Sequence, residues 1–96
     1  MVDMTVYPNK YYYCASAIDE VSISSVYLSD GTSSDSFTSG ADDTVCEYIF
    51  DFIAASGFSL SFPEDVVWSS TPSFTEGKRY LISVVNNLAV WAEFDV

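Results

Sequence analysis

Histidine is absent from the chain, and only three side chains are cationic: Lys10, Lys78 and Arg79. Because histidine is the commonest general base and metal-binding side chain, the usual pairing of a Ser or Cys nucleophile with His is excluded. The four glycines form no phosphate-binding loop. Neighbouring acids such as Glu64 and Asp65 have the residue types of an acid–base pair, but such acids in polar loops are normally solvated. We therefore predict a protein that is not an enzyme and uses no cofactor.

Positive charge is scarce because fourteen Asp and Glu oppose three Lys and Arg, which gives a net charge of −11. Residues 11–77 contain no cation at all. Binding to nucleic-acid phosphates or to an anionic membrane surface needs clustered Lys and Arg, so both partners are excluded. Two interpretations remain: the acids keep an apolar chain soluble, or they attract a basic partner.

The chain has two cysteines, Cys14 and Cys46, and both lie within apolar stretches. Buried thiols are the expected interpretation, and a disulfide between them stays open because two cysteines do not define an oxidising compartment. The first residues lack the basic start and apolar run of a signal peptide. No apolar run approaches the roughly 20 residues of a membrane span.

Aromatic and β-branched residues dominate what is present, which favours sheet over helix. The clearest element is a hairpin in which residues 80–85 and 88–94 alternate around Asn86 and Asn87. Asparagine tolerates positive φ, so the pattern predicts a two-residue type I′ turn. Further strands are predicted over residues 2–7, 11–18, 21–28, 58–62 and 66–68.

These strands, all within one domain of residues 1–96, predict an all-β protein. The expected architecture is a small antiparallel β-sandwich, jelly-roll or immunoglobulin-like, of about seven or eight short strands. Asp19 and Glu20 are expected to break the chain between two of the strands, and Pro63 is expected to end another.

Residues 44–57 fit two structures. As a helix, Thr44 and Glu47 form a capping box and Gly57 is the terminator. As a strand, the segment places four apolar side chains on one face: Cys46, Tyr48, Phe50 and Phe52. We predict the strand, because strand-favouring residues fill the run.

Residues 29–43 form a polar segment in which Phe37 is expected to pin the loop to the core. Its four aspartates raise the question of calcium: Asp30, Asp35, Asp42 and Asp43. The EF-hand spacing and its closing acid are missing, so we predict no metal site.

Three consecutive tyrosines, Tyr11, Tyr12 and Tyr13, are the most unusual short run. On a strand at least one phenol faces outward, and Tyr is enriched at protein interfaces and sugar-binding surfaces. The alternative is a tyrosine-rich strand with its hydroxyls at the rim of the core. The candidate interface residues are Tyr11, Tyr12, Tyr13, Trp91, Lys78 and Arg79.

From Glu47 to Phe94 the chain resembles a module of tailed-phage virion proteins. The shared features are an aromatic strand, a strand ending in Pro, a Val-x-Trp, a loop with Gly before Tyr, and a closing hairpin. Here they are residues 48–52, 58–63, 67–68, 77–80 and 82–94. The module usually has Gly in the last turn, where this chain has Asn87. The resemblance covers about half the chain, and residues 1–45 lie outside it.

The resemblance implies a non-enzymatic virion structural protein, made in the host cytoplasm and located on the capsid surface. It favours a capsid-decorating or auxiliary head protein whose partners are the phage capsid or other virion proteins, with weak contacts added by multivalency. One alternative is a homotrimeric head- or tail-fibre module that binds a host receptor or carbohydrate. A second alternative is an acidic inhibitor that mimics nucleic acid. The host, the oligomeric state and the strand order stay open.

Overall fold

A computed structural model describes residues 1–37 and 45–96, and this part of the chain contains strands but no helix. The strands are β1 (Met4–Val6), β2 (Lys10–Tyr27), β3 (Ser33–Ser34), β4 (Glu47–Ser61), β5 (Val67–Trp68), β6 (Arg79–Val85) and β7 (Leu88–Phe94). The predicted all-β class is confirmed, and the helical alternative for residues 44–57 is wrong from Glu47 onward. No helix capable of spanning a membrane occurs among the described residues.

The seven strands form one strongly curled sheet in the order β1-β2-β4-β6-β7-β5, with β3 beside β2. The predicted antiparallel arrangement is wrong in part, because β2 pairs in parallel with both β1 and β4, and β5 pairs in parallel with β7. A parallel pair requires a crossover of a dozen or more residues, and the long segment between β2 and β4 supplies that length. The predicted sandwich of two sheets is not confirmed.

Two strands are much longer than predicted, β2 with 18 residues and β4 with 15. The expected break at Asp19 and Glu20 is wrong, because β2 continues through both residues with a register shift between Ile18 and Glu20. Gly57 does not end an element either. It lies inside β4 with a φ of 72°, next to this irregularity. A glycine in this conformation lets a strand bend and continue pairing.

One face of the curled sheet carries the core, as the alternation in β4 and β6 predicts. The largest fully buried residues of these strands are Tyr48, Phe50, Phe52, Tyr80 and Ile82. Phe37 is also fully buried and packs beside Tyr48, as its pinning role predicts. The two buried phenols keep hydrogen bonds: Tyr48 Oη donates to the Tyr27 carbonyl and Tyr80 Oη to Glu93 Oε2, each at 2.6 Å. Satisfied hydroxyls allow tyrosine to serve as a core residue.

The closing hairpin is confirmed, since β6 and β7 pair antiparallel from Val85 opposite Leu88 to Arg79 opposite Phe94. The type I′ turn is wrong, because only Asn86 of the two turn residues has a positive φ, at 56°. Asn86 is held by Cys46, to whose carbonyl its N–H donates at 2.8 Å. The turn therefore takes its shape from contacts with the start of β4 as well as from its own sequence.

Candidate functional site on the outer sheet face

The sheet face opposite the core is the candidate site, and we call it the outer face. Side chains alternate between the two faces along each strand, and four neighbouring strands contribute to this one. Its residues are Tyr11 and Tyr13 of β2, Ile49, Asp51 and Ile53 of β4, Arg79, Leu81 and Ser83 of β6, and Val90, Ala92 and Phe94 of β7. Alternation that builds a core on one side therefore builds a second, largely apolar surface on the other.

A buried carboxylate lies at the centre of the outer face. Asp51 is only 1% exposed, and Arg79 of the neighbouring strand donates to it from Nε to Oδ1 at 2.8 Å and from Nη2 to Oδ2 at 2.5 Å. The hydroxyl of Tyr11 also donates to Oδ2. Bidentate pairs of this kind are strong and fix orientation. The charge of Asp51 is thus satisfied by groups from β2 and β6.

These contacts shift the proton affinities of all three groups. Hydrogen bonding from the Arg79 guanidinium lowers the pKa of Asp51 below its usual value, although burial opposes the shift. The hydrogen bond that Tyr11 donates to Asp51 raises the pKa of Tyr11, because the phenol needs its proton to make this bond; burial and the charge of the carboxylate add to the shift. Asp51 likewise raises the pKa of Arg79. The cluster therefore stays as carboxylate, neutral phenol and guanidinium near neutral pH.

The two exposed tyrosines of β2 are held in place over this cluster. Tyr11 and Tyr13 are each 55% exposed, and their rings stack with centroids 6.3 Å apart. The Arg79 guanidinium carbon lies 5.7 Å from the centroid of the Tyr13 ring, within the range of a cation–π contact. Their ring faces are thus available to a partner while their orientation is already restricted.

A shallow depression with a volume of about 430 Å³ opens beside the cluster. Its lining residues are Tyr11, Asp51, Arg79, Leu81, Phe94 and Asp95. Asp95 also forms an ion pair with Lys78 at the rim, where both side chains are solvent-accessible and the pair contributes little to stability. The volume lies within the range of small-ligand sites. The lining combines aromatic faces with the remaining donors of one arginine.

The structure divides the six predicted interface residues between the two faces. Tyr11, Tyr13 and Arg79 come together on the outer face, and Lys78 lies at its rim. Tyr12 and Trp91 belong to the inner side: the Tyr12 ring stacks on Phe50 at 5.6 Å, and Trp91 packs against the core while Nε1 donates to the Ser70 carbonyl at 3.1 Å.

Sequence reasoning missed Asp51, Leu81 and Phe94 as parts of this site. An acid in the middle of an apolar strand, on the same face as two isoleucines, was the available signal. Recognising the site from this signal also required knowledge that β4 pairs with β6, because that pairing places Arg79 beside Asp51. The two Asp51 oxygens already accept three hydrogen bonds, so this carboxylate is suited to holding the surface rigid rather than to accepting a proton.

A metal centre gains no support from the described residues, among which no three potential His, Cys, Asp or Glu ligands converge. Asp42 and Asp43, two of the four aspartates considered for calcium, lie outside the described residues. Comparison of the chain with protein-family models, curated proteins and solved structures finds no match.

Proposed function

We propose that this chain is a non-enzymatic structural protein of a tailed-phage virion, a capsid-decorating or auxiliary head protein that binds the capsid through its outer face. The observation that carries the proposal is a second aromatic and apolar surface on a sheet whose other face already forms the core. The resemblance of residues 47–94 to virion modules is the reason for assigning the protein to a phage particle.

An exposed sheet face in a protein with one core is normally polar. On this outer face Val90 and Phe94 are 54% and 48% exposed, beside the two exposed tyrosines. Contiguous exposed apolar surface of this kind marks interaction sites. Tyrosine and arginine are also the residues that most often supply binding energy at protein interfaces. The outer face thus has the composition of a protein-binding surface.

The charge of the chain indicates which kind of partner surface would be complementary to it. The two cations near the outer face are paired with acids, Arg79 with Asp51 and Lys78 with Asp95, while the chain as a whole carries a net charge of −11. A complementary surface has an apolar centre surrounded by Lys and Arg, because like charges across an interface are unfavourable. On a repeated capsid lattice, many such contacts add through multivalency even when each one is weak.

The first test is the composition of the particle. Virions are banded on a density gradient from the phage or prophage that encodes the chain, and their proteins are quantified by mass spectrometry. We expect the chain to band with the major capsid protein at a fixed ratio. Its absence from the particles would overturn the proposal.

The second test locates the attachment surface. Particles from a strain lacking the gene are mixed with purified protein, and bound protein is measured after sedimentation. The double variant Tyr11→Ser/Tyr13→Ser should bind at least about tenfold more weakly, as expected for loss of two aromatic contacts. Tyr7→Ser is the matched control: Tyr7 is 46% exposed, stacks on Tyr27, and its N–H donates to the hydroxyl of Tyr12, whose ring lies on the core side. Equal loss in both proteins would contradict attachment through this surface.

The depression favours a second candidate, a homotrimeric fibre module that binds a host carbohydrate. Tyr11 and Phe94 offer aromatic faces for the apolar side of a sugar ring, and Arg79 offers planar donors for its hydroxyls. Light scattering and a glycan array separate the two candidates. A stable trimer with glycan binding that Arg79→Lys weakens would favour the fibre module, whereas a monomer without glycan binding would exclude it.

A further inference from the structure

Strand β7 has one side of its backbone open over most of its length. On one side it pairs with β6 along the whole strand, from Leu88 to Phe94. On the other side β5 pairs only with Leu88 and Ala89, and the last bond along this edge runs from the Ser69 N–H to the Ala89 carbonyl at 2.8 Å. Beyond Ala89, the edge of the sheet is exposed.

The hydrogen-bond pattern identifies the free groups. Along a strand, the N–H and C=O of alternate residues point to opposite neighbours. The Ala89 carbonyl points toward β5, so the N–H and C=O of Trp91 and Glu93 point the same way, into the open edge. In the part of the chain that the structure describes, no backbone hydrogen bond joins these four groups to another strand.

Three devices that usually protect an edge strand are missing from β7: residues 88–94 contain no Pro and no Lys, and they pair with β6 without a register shift. One such device is present, because the charged Glu93 points to the core side and accepts a hydrogen bond from Tyr80. The only charge within the strand is Glu93, and Asp95 follows directly. The open edge is therefore a template for an added strand, and its local charge is negative.

We propose that the β7 edge binds an extended peptide segment rich in Lys or Arg, which adds as a further strand of the sheet. Main-chain hydrogen bonds to Trp91 and Glu93 would supply the pairing, as in other cases of strand addition. The negative charge of Glu93 and the net charge of −11 of the chain select a basic segment, whereas Asp95 is already paired with Lys78. A second copy of this chain fits less well, because edge-to-edge pairing would bring two Glu93 and two Asp95 together. This proposal does not depend on the virion assignment.

The probe is a synthetic peptide in which Lys and Val alternate. Its length is roughly eight residues, which is a usual length for a strand. It is titrated into the uniformly ¹⁵N-labelled full chain and followed by amide chemical shifts and hydrogen exchange. We expect the amides of Trp91 and Glu93 to shift and become protected, while the Ala92 amide, which already faces β6, changes little. A peptide of alternating Glu and Val should not bind.

Glu93→Pro and Glu93→Ala form the matched pair of variants. Both variants remove the carboxylate and therefore the acceptor of the Tyr80 hydroxyl. Only proline also removes the outward N–H, and proline is tolerated at an edge where that N–H faces solvent. The Lys-Val peptide should bind about tenfold more weakly to Glu93→Pro than to Glu93→Ala. The ¹⁵N spectrum reports whether each variant is folded.

A backbone-modified peptide gives an independent test that needs no folded variant. The Lys-Val peptide with N-methyl groups on every amide keeps its charge but loses the strand-pairing donors of both its edges, so its binding should disappear. Equal binding of methylated and parent peptides would overturn the proposal. So would shifts confined to the outer face, or protection of Trp91 and Glu93 that rises with protein concentration in the absence of peptide, which would assign the edge to a second copy.

Discussion

Arg79 holds the carboxylate of Asp51 through two parallel hydrogen bonds between neighbouring strands, at 2.8 Å and 2.5 Å. Asp51 is almost completely buried, whereas the Arg79 side chain is 45% exposed. Asp51 therefore has a structural role, whereas the exposed part of Arg79 is available to a partner. This asymmetry explains how a single acid in an apolar strand can organise the outer face without itself contacting a ligand.

Replacing Asp51 by Asn should lower the free energy of unfolding near neutral pH by roughly 2 kcal/mol, the usual size for hydrogen bonds to a charged group. The pH dependence follows from the lowered pKa of Asp51 in the folded state. Its stabilisation is complete above the unfolded-state pKa of about 4 and is lost as the pH falls through the lower folded-state value. Urea unfolding between about pH 2 and pH 7 measures both effects, and the variant should lack this part of the acid-induced loss.

The variant comparison is needed because acid has a second, opposite effect on this chain. Protonating the other carboxylates relieves the self-repulsion of a net charge of −11. Asp95→Asn is the control, since Asp95 also has a pKa lowered by its cation, Lys78, but its side chain is 89% exposed. Its substitution should change stability less than Asp51→Asn does at every pH. The reverse order would contradict the structural role assigned to Asp51.

The two sheet faces should respond differently to loss of an aromatic ring. Phe52 is fully buried in the core, and Phe52→Ala should lower the free energy of unfolding by about 3 to 5 kcal/mol. Phe94, which is 48% exposed on the outer face, should cost less than about 1 kcal/mol when changed to Ala. Urea unfolding measures both, and Ile82→Val, expected to cost about 0.5 to 1.5 kcal/mol, supplies a core variant that stays folded. Similar costs at Phe52 and Phe94 would contradict the assignment of the faces.

The alternation of apolar and polar residues and the turn-forming residues predicted those elements that are determined by neighbouring residues in the sequence. The hairpin around Asn86 follows from alternation on both sides of a turn-forming pair, and the buried face of β4 follows from apolar residues at every second position. The extent of β2 and β4 did not follow, because strand ends at Glu20 and Gly57 are overridden by pairing between the two strands. Those contacts join residues about 35 to 40 positions apart, and no local propensity encodes them.

In the candidate site too, local features were predictable from the sequence, whereas features that depend on strand pairing were not. The period of two on a strand predicted that Tyr11 and Tyr13 share one face and Tyr12 lies on the other, with at least one phenol outward. Which face is exposed came from the structure, where Tyr11 and Tyr13 are the exposed pair. Arg79 lies over Tyr13 and binds Asp51 because β2, β4 and β6 are neighbouring strands. The site could therefore be predicted only from the order of the strands in the sheet. The position of Asp95 in the depression likewise depends on the end of β7 lying beside β6.

The two cysteines are both free in the structure, and we expect them to differ in accessibility. Cys46 is fully buried, in keeping with the expected buried thiol, whereas Cys14 is only partly buried on β2. In the folded protein a thiol reagent such as Ellman's reagent should modify one cysteine, and denaturant should release the second. Cys14→Ser should abolish the reaction of the folded protein, and Cys46→Ser should leave it. Two thiols that are unreactive even in denaturant without reductant would instead demonstrate a disulfide.

Asn86 combines a left-handed backbone with a side-chain contact, and two substitutions separate these contributions. Its φ is 56°, and its Oδ1 accepts the Cys46 N–H at 3.3 Å. Asn86→Ala loses the hydrogen bond and places an unfavourable residue at positive φ, so the free energy of unfolding should fall by roughly 1 to 3 kcal/mol. Asn86→Gly loses the same bond but suits the backbone, so it should be more stable than Asn86→Ala by about 1 kcal/mol. Thermal unfolding measures the order, and a shift of about 4 to 8 °C is expected per kcal/mol for a domain of this size. If Ala proved as stable as Gly at this position, the turn in solution would not have the left-handed conformation at Asn86.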